Sequence, residues 1–329
     1  MLKRIFWILV VITLVYNGKL LSQDPEFTQF YANKLYLNPA FAGTDKCPKL
    51  TMNFRNQWPA LGSTYVTYCA SYDQRIEALE GGVGIHIMQD VEGDGAIRTS
   101  YISGMYSYTF PVNRNFSITG GFQATYIHKA LNWDFIFPDM IDPLYGPIFP
   151  TNEVIVPTDN TDSHFDFSAG AIAFNKDYFF GFAIHHLTEP PESWRGDANS
   201  ALPRKYTLHF GTNIPINARG YRKGELYLSP NFLFQQQQDF QQFNYGLYVY
   251  RKNLVSGIWF RQNFKFHFDS FVMMIGFKQK NFSFGYSYDV TVSRLKNHRT
   301  LGAHEVSLSY MFACSQKKLK FRTISCPSF

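Results

Sequence analysis

The feature that most constrains the fold is a strict alternation of large apolar and small polar residues. Between Phe116 and Tyr126, every second residue is aromatic, aliphatic, Gly or Ala, and Ser, Thr, Gly or Gln stands between them. The stretches 282–291 and 303–312 also alternate with a period of two, although Asp289, Glu305 and Met311 stand among the intervening residues. A period of two is that of a β-strand. Runs of about ten residues have the length that a tilted strand needs to cross a bilayer.

The composition separates a membrane barrel from a soluble β-sandwich, which would also alternate. Aromatic residues make up 18% of the chain and charged residues 17%, against about 25% charged in typical soluble domains. The mean hydropathy of −0.20 is too polar for a bundle of membrane helices. Aromatic residues on one side and small polar residues on the other are the reverse of a packed core. We therefore predict an all-β fold, a transmembrane antiparallel β-barrel.

Turn residues divide the chain into fourteen predicted strands, an even number, as in single-chain bacterial barrels. They leave four regions: a signal peptide at 1–22, an N-terminal segment at 23–48, the barrel at 49–313 and a basic tail at 314–329. The predicted strands are 49–58, 63–73, 81–90, 98–110, 115–132, 164–174, 178–187, 204–214, 225–235, 241–251, 254–263, 266–278, 281–293 and 301–313.

The first 22 residues have the pattern of a cleaved signal peptide. Lys3 and Arg4 precede an apolar run that ends at Val15, and Leu21-Ser22 is an acceptable cleavage site. The run is shorter than the roughly 20 residues of a spanning helix. Cleavage would lower the Lys and Arg count from 31 to 28 against 25 acidic residues. The small net charge gives no reason to expect a nucleic-acid partner.

Link lengths predict the orientation. With both chain ends in the periplasm, the links after even strands are short, and those after odd strands include the long stretches 133–163 and 188–203. Bacterial barrels have short periplasmic turns and long extracellular loops. Five prolines in 133–163 argue against a regular strand or helix there. A folded surface cap or an inward-tucked plug remains an alternative to a loose loop.

Charge follows the same axis. The long outer links are acidic, whereas the periplasmic turns and the tail are basic. We predict a partner-binding periplasmic rim, with solubility and lipid-headgroup contact as the alternative. Its residues are Arg219, Arg222, Lys223, Lys317 and Lys318.

Few motifs in the sequence carry chemistry. Residues 90–95 resemble half of a calcium loop, but Tyr101 stands where the bidentate Glu belongs. His185 and His186 are adjacent at a strand end, so we expect their side chains on opposite faces and no shared metal. No G-x-S-x-G elbow, P-loop or H-E-x-x-H occurs. We name no catalytic residue, metal or cofactor, although a hydrolase site assembled only in space stays open.

Four cysteines in an exported chain suggest a disulfide. Cys314 and Cys326 flank the basic tail, and we predict that they pair. Cys69 lies within a strand, so pairing it with Cys47 requires the N-terminal segment to reach the wall. Four unpaired thiols are the alternative.

Motifs distributed along the chain carry a family resemblance. The mature N-terminus begins Gln23-Asp24-Pro25-Glu26-Phe27-Thr28-Gln29-Phe30-Tyr31-Ala32-Asn33, and Leu37-Asn38-Pro39-Ala40-Phe41-Ala42-Gly43 follows. The other motifs are Phe54-Arg55-Asn56-Gln57-Trp58, His186-Leu187-Thr188-Glu189-Pro190, Gly285-Tyr286-Ser287-Tyr288-Asp289, His304-Glu305-Val306-Ser307-Leu308 and Cys326-Pro327-Ser328-Phe329. In this order the chain resembles the PorP/SprF family of Bacteroidota, with Lys34 in place of the family's usual Pro.

The resemblance implies a non-enzymatic outer-membrane barrel of the type IX secretion and gliding-motility system. Such a protein assists export or surface attachment of an adhesin. Its implied partners are outer-membrane lipid, the C-terminal region of a secreted adhesin and type IX secretion components. The Asn38-Pro39-Ala40 turn is also similar to the hatch of FadL-type fatty-acid channels, which have fourteen strands. A passive channel for small hydrophobic compounds is therefore the alternative function.

The N-terminal segment is apolar and aromatic and lies outside the strand pattern. It would be unfavourably exposed in periplasmic water, so we predict that it folds into the barrel as a hatch, or plug. A disordered leader is the alternative. The predicted plug residues are Phe27, Phe30, Tyr31, Asn38, Pro39, Ala40 and Phe41.

Overall fold

Fourteen antiparallel strands form one closed sheet in the computed structural model, which describes residues 24–45, 47–61, 64–113, 115–132, 136–150, 161–192, 201–216, 226–263, 268–292 and 300–314. The strands are β1 (Lys49–Gln57), β2 (Tyr65–Ile76), β3 (Gly81–Glu92), β4 (Ile97–Pro111), β5 (Ser117–Leu131), β6 (Thr161–Phe174), β7 (Tyr178–His185), β8 (Lys205–Thr212), β9 (Leu226–Gln237), β10 (Phe240–Arg251), β11 (Leu254–Gln262), β12 (Phe268–Gln279), β13 (Phe282–Thr291) and β14 (Ala303–Met311).

The sheet closes where its first and last strands meet. β1 pairs with β14 from Lys49 opposite Met311 to Gln57 opposite Ala303. Each of the fourteen strands also bonds to its neighbour along the chain, including β8 to β9. A closed sheet leaves no row of unpaired backbone groups, which is the condition for crossing hydrocarbon. We call the end of the barrel that carries Lys49 and Met311 the near end, and the opposite end the far end.

The predicted strand count is confirmed, and every predicted boundary lies within three residues of the observed one. The alternation has the predicted sense as well. On β5, Phe122 is 50% exposed on the outward face, whereas the inward Thr119 is fully buried. Small inward residues leave room inside the ring for further chain.

Shorter elements lie in the N-terminal segment and the links. One-turn helices occur at Lys34–Leu37 (α1), Pro39–Phe41, Glu77–Leu79 and Pro138–Met140, the last three of the 3-10 type, and two-residue strands occur at Ile141–Asp142, Gly146–Pro147 and Ile214–Pro215. Two of these strands pair as a hairpin within the proline-rich link. The described part of this link, residues 136–150, therefore contains a short folded hairpin. Within the ranges described, no helix is long and apolar enough to span a membrane.

A disulfide joins Cys47 to Cys314, with their Cα atoms 5.7 Å apart. The predicted Cys314–Cys326 pairing is therefore wrong, and Cys326 itself lies outside the described residues. Cys47 precedes β1 and Cys314 follows β14, two paired neighbours, so strand pairing brings the two cysteines together. A hydrogen bond from Phe312 N to Pro48 O at 2.9 Å extends the same seam. Cys69 is buried and unpaired with any cysteine.

Removing the disulfide tests its contribution to the seam. We expect Cys47→Ser with Cys314→Ser to lower the free energy of unfolding by about 2–4 kcal/mol, since the bond closes a very long loop. Urea unfolding of the refolded barrel in detergent measures this, with Cys69→Ser as the matched control. Loss of the disulfide in Cys326→Ser, detected by non-reducing peptide mapping, would contradict the Cys47–Cys314 pairing.

Candidate functional site

The N-terminal segment, residues 24–45, runs lengthwise through the barrel. At the far end, Asp24 contacts His186 and Lys205, which lie beside the far ends of β7 and β8. Toward the near end, Gly43 N donates a hydrogen bond to Asp73 Oδ2 at 2.9 Å. Asp24 therefore lies close to the far mouth, and the chain runs from there to the near end before entering β1.

Aromatic residues of the segment pack on inward aromatic residues of the wall. Phe30 meets Trp259 edge-on at 5.2 Å between ring centroids, and Tyr31 meets Phe179 at 5.5 Å. Phe41 stacks on His209 at 5.4 Å. All seven residues singled out in the sequence are buried. Phe30, Tyr31, Ala40 and Phe41 belong to one apolar cluster, and Asn38 and Pro39 form the turn beside it. Phe27 lies in a separate group with Cys69 and Met88.

The Asn38-Pro39-Ala40 turn is fixed by its own side chain and by the wall. Asn38 Oδ1 accepts a hydrogen bond from Ala40 N at 2.9 Å, and Asn38 Nδ2 donates to Phe182 O at 3.1 Å. A Cβ at Gly121 would overlap the backbone of this turn, and one at Gly170 would overlap the Asn38 side chain. Glycine in the wall is therefore what allows the turn to approach so closely.

A central cluster of ions, formed by Arg55, Asp289 and Glu305, holds the segment at Thr28 and Gln29, two residues from the far ends of β1, β13 and β14. Arg55 reaches Asp289 Oδ2 at 3.1 Å and Glu305 Oε2 at 3.2 Å. Glu305 accepts hydrogen bonds from the backbone N–H groups of Thr28 and Gln29 at 2.6 and 3.1 Å. The Glu305 carboxylate thus binds both the backbone of the segment and Arg55, and Arg55 compensates the buried charge of Glu305.

Arg261 extends this cluster towards the start of the segment. Its Nη1 lies 3.5 Å from Asp289 Oδ2 and 3.8 Å from Glu26 Oε2. Gln242 Nε2 donates to the same Glu26 oxygen at 2.7 Å. Five strands, β1, β10, β11, β13 and β14, therefore share one polar network with the segment.

A far cluster, formed by Asp24, Asp166, His186 and Lys205, fixes the start of the segment. His186 Nε2 and Nδ1 donate to Asp24 and Asp166, each at 2.9 Å. Burial would raise the pKa of Asp24, but the charges of His186 and Lys205 outweigh it and hold that pKa well below its usual range. Burial lowers the pKa of His186, but Asp24 and Asp166 raise it to about 10. Both groups are charged at neutral pH.

A near cluster, formed by Lys34, Asp45 and Lys49, fixes the other end of the segment. Asp45 lies 3.7 Å from Lys34 Nζ and 3.8 Å from Lys49 Nζ. Burial would raise the pKa of Asp45, but the two lysines lower it to about 2. The segment is thus held by charge at three depths.

His185 and His186 both face the lumen, so the expected division between opposite faces is wrong. His186 follows the end of β7 and has a φ of 57°, a left-handed conformation that breaks the strand alternation. Both line a small pocket that is partly open to solvent. Asp24, Tyr36, Met88, Tyr101 and Ile127 also line it.

The central cluster was not found from the sequence, although its residues stand inside the motifs that carried the resemblance. Arg55, Asp289 and Glu305 come from three motifs far apart in the chain. A usable signal was present, because each is a charged residue on the inward side of a strand, and the other inward residues of β13 and β14 are mostly small. The predicted rim residues Arg219, Arg222, Lys223, Lys317 and Lys318 lie outside the described residues.

Family membership follows from the whole length of the chain. The family model described as "Type IX secretion system membrane protein PorP/SprF" matches residues 20–310. The chain belongs to the PorP/SprF family. No curated protein sequence matches it. The motif-based resemblance is thereby confirmed.

Solved structures with a similar architecture are outer-membrane barrels. The Ralstonia pickettii toluene transporter TbuX has a TM-score of 0.49 and 10% identity, covering 85% of this chain and 93% of its own. The Acinetobacter baumannii outer membrane protein Omp33 has a TM-score of 0.45 and 9% identity, covering 82% and 100%. A Pseudomonas aeruginosa FadL homologue has a TM-score of 0.42 and 15% identity, covering 84% and 93%. These likenesses concern the fold alone.

Truncating Arg55 tests the central cluster. We expect Arg55→Ala to lower the free energy of unfolding by about 3–5 kcal/mol, since it leaves Asp289 and Glu305 buried without their main cation. Urea unfolding gives the stability, and hydrogen exchange at residues 24–45 reports release of the segment. Ser283→Ala, another inward change on β13, is the matched control. Unchanged exchange at Thr28 and Gln29 in Arg55→Ala would contradict this role.

The far cluster predicts a pH window. The raised pKa of His186 gives stability that is complete below its ordinary value of 6.5 and is lost as pH rises towards about 10. The depressed pKa of Asp24 gives stability present above 3.8 and lost at lower pH. Protection of the first residues of the segment from hydrogen exchange, corrected for intrinsic rates, should therefore be greatest between about pH 3.8 and pH 6.5. His186→Gln should abolish the decline on the alkaline side; an unaltered profile would count against the cluster.

Proposed function

We propose that this protein is a non-enzymatic, plugged barrel that assists type IX secretion by supporting export or surface attachment of an adhesin-like protein. The near end faces the periplasm and the far end faces outwards. Cleavage of the signal peptide would leave the N-terminus inside the lumen, because Asp24 is held there. The outward aromatic face contacts outer-membrane lipid. Family membership supports the assignment to type IX secretion.

The observation that carries the proposal is the fixed N-terminal segment. Ion clusters at three depths and a close-packed turn beside Gly121 and Gly170 hold it along the lumen. Displacing such a segment would leave several buried charges without partners, which is costly. A closed lumen suits a protein that presents loops and rims to partners better than one that conducts solutes.

Conductance tests the plug. We expect the intact barrel to show no steady conductance in planar bilayers, whereas deletion of residues 24–43 should open a lumen lined by small polar side chains. Arg55→Ala should give intermittent opening, because it weakens the central cluster. Steady conductance of the intact barrel equal to that of the deletion variant would refute the plug.

Affinity purification of the tagged barrel from its own cells tests the secretion role. We expect a secreted, adhesin-like protein together with type IX secretion components. Recovery of no protein partner, with fatty acid or detergent bound beside Pro39, would overturn the proposal and favour the alternative. That alternative, a passive channel for small hydrophobic compounds, draws support from the pocket lined by Tyr36, Met88 and Tyr101.

The basic rim remains part of the proposal. Arg219, Arg222, Lys223, Lys317 and Lys318 would present positive charge to an acidic periplasmic component. Reversing Arg219, Arg222 and Lys223 to Glu should abolish recovery of that component. Lys280→Glu, a reversal in another near-end turn, is the matched control, and unchanged recovery in the triple variant would remove the rim from the proposal.

A further inference from the structure

We propose that the hairpin at residues 136–149 is a docking surface for a polypeptide segment in which apolar residues are flanked by Lys or Arg. The hairpin lies in the link between β5 and β6, at the far end of the barrel. This inference deepens the proposed function and rests on its orientation, because it assigns a surface and a partner chemistry to the outward face.

The hairpin has a defined fold of its own. Ile141–Asp142 pairs with Gly146–Pro147. At the tip, Asp142 Oδ1 accepts hydrogen bonds from Leu144 N and Tyr145 N at 2.8 and 3.0 Å. Ile148 N donates to Met140 O at 3.0 Å and closes the base. The backbone at Leu144 and Tyr145 is therefore held in one conformation before a partner arrives, which reduces the backbone entropy lost on binding.

The side chains that the hairpin displays are large and apolar. Leu144 is 79% exposed and Tyr145 72%, and they form the tip. The other exposed apolar side chains of the hairpin are Ile136, Ile141, Ile148 and Phe149. Exposed apolar residues on the strands have a lipid-facing role, but these follow the end of β5 at Leu131 and precede β6 at Thr161. Several exposed large apolar side chains on one short hairpin outside the strands are typical of an interaction surface.

Charge determines which occupant fits the hairpin. The stretch 132–163 contains no Lys or Arg. Its acidic residues are Asp134, Asp139, Asp142, Glu153, Asp159 and Asp162. An anionic lipid surface is repelled by such a segment, and so is a second copy of the same hairpin. A polypeptide with Lys or Arg beside apolar residues gains both the apolar contact and the charge complementarity.

Binding of short synthetic peptides to the full barrel in nanodiscs tests this surface. The peptides vary Lys and Arg content, Asp and Glu content, and apolar content independently, and fluorescence anisotropy measures their affinity. We expect the basic, apolar peptides to bind, with affinity falling as salt rises, and the charge-reversed peptides to fail. Leu144→Ser with Tyr145→Ser should weaken binding at least about tenfold, as for removal of central interface residues.

Val292→Ser with Leu301→Ser is the matched control, because both residues are exposed apolar residues in another far-end link. Its affinity should equal that of the unmodified barrel. The proposal is overturned if no basic, apolar peptide binds, or if the Leu144 and Tyr145 variant binds as well as the control. Two further results for the Leu144 and Tyr145 variant would overturn the proposal if its peptide affinity is unchanged. One is loss of binding to lipopolysaccharide vesicles, and the other is dissociation of a dimer seen by light scattering.

A cellular readout separates this inference from the proposed function. Cells lacking the barrel are complemented with the unmodified protein, the Leu144 and Tyr145 variant or the control, and surface-exposed type IX substrates are quantified. Unchanged display in cells without any barrel would refute the proposed function. Normal display in both variants, with peptide affinity also equal in both, would refute the docking surface alone.

Discussion

Hydrocarbon offers no hydrogen-bond partner to a backbone N–H or C=O group, so a strand can cross a membrane only when both of its edges are paired. In this protein that condition is met at the seam where β1 bonds to β14, which turns an open sheet into a ring. The position of the disulfide follows from the same pairing. Cys47 and Cys314 flank two neighbouring strands and are therefore brought within bonding distance at the near end.

Closing the ring creates a second problem, because the inward side chains are mostly small and leave a space inside. The N-terminal segment fills part of it with Phe30, Tyr31 and Phe41, which join the inward Trp259 and Phe179 in one apolar cluster. Backbone groups of the segment have no strand partner there. Glu305 supplies acceptors for two of them, and Arg55 offsets the charge that this carboxylate brings into the lumen.

The arrangement connects the two mouths of the barrel through one stretch of chain. Asp24 is held beside the base of the β7–β8 link at the far end, and Asp45 lies just before β1 at the near end. A partner that moved the near end of the segment would have to break charged contacts before it altered the far end. In the proposed function, this charged attachment would make the barrel a stable platform for protein partners, with the hairpin between β5 and β6 as its outward docking surface.

The sequence by itself determined the strands, because alternation is local and a strand buried on one side needs nothing more than a period of two. Its aromatic-rich, charge-poor composition then favoured a membrane barrel over a sandwich. The burial of polar residues of the N-terminal segment, such as Thr28, Gln29 and Asn33, was decided by the tertiary structure. Only the tertiary structure decided that Arg55, Asp289 and Glu305 meet, since register brings together residues more than two hundred positions apart. The disulfide pairing depended likewise on the closed seam. The inward turn of His186 depended on its own left-handed conformation. Neither the seam nor the left-handed residue has a signature in the alternation.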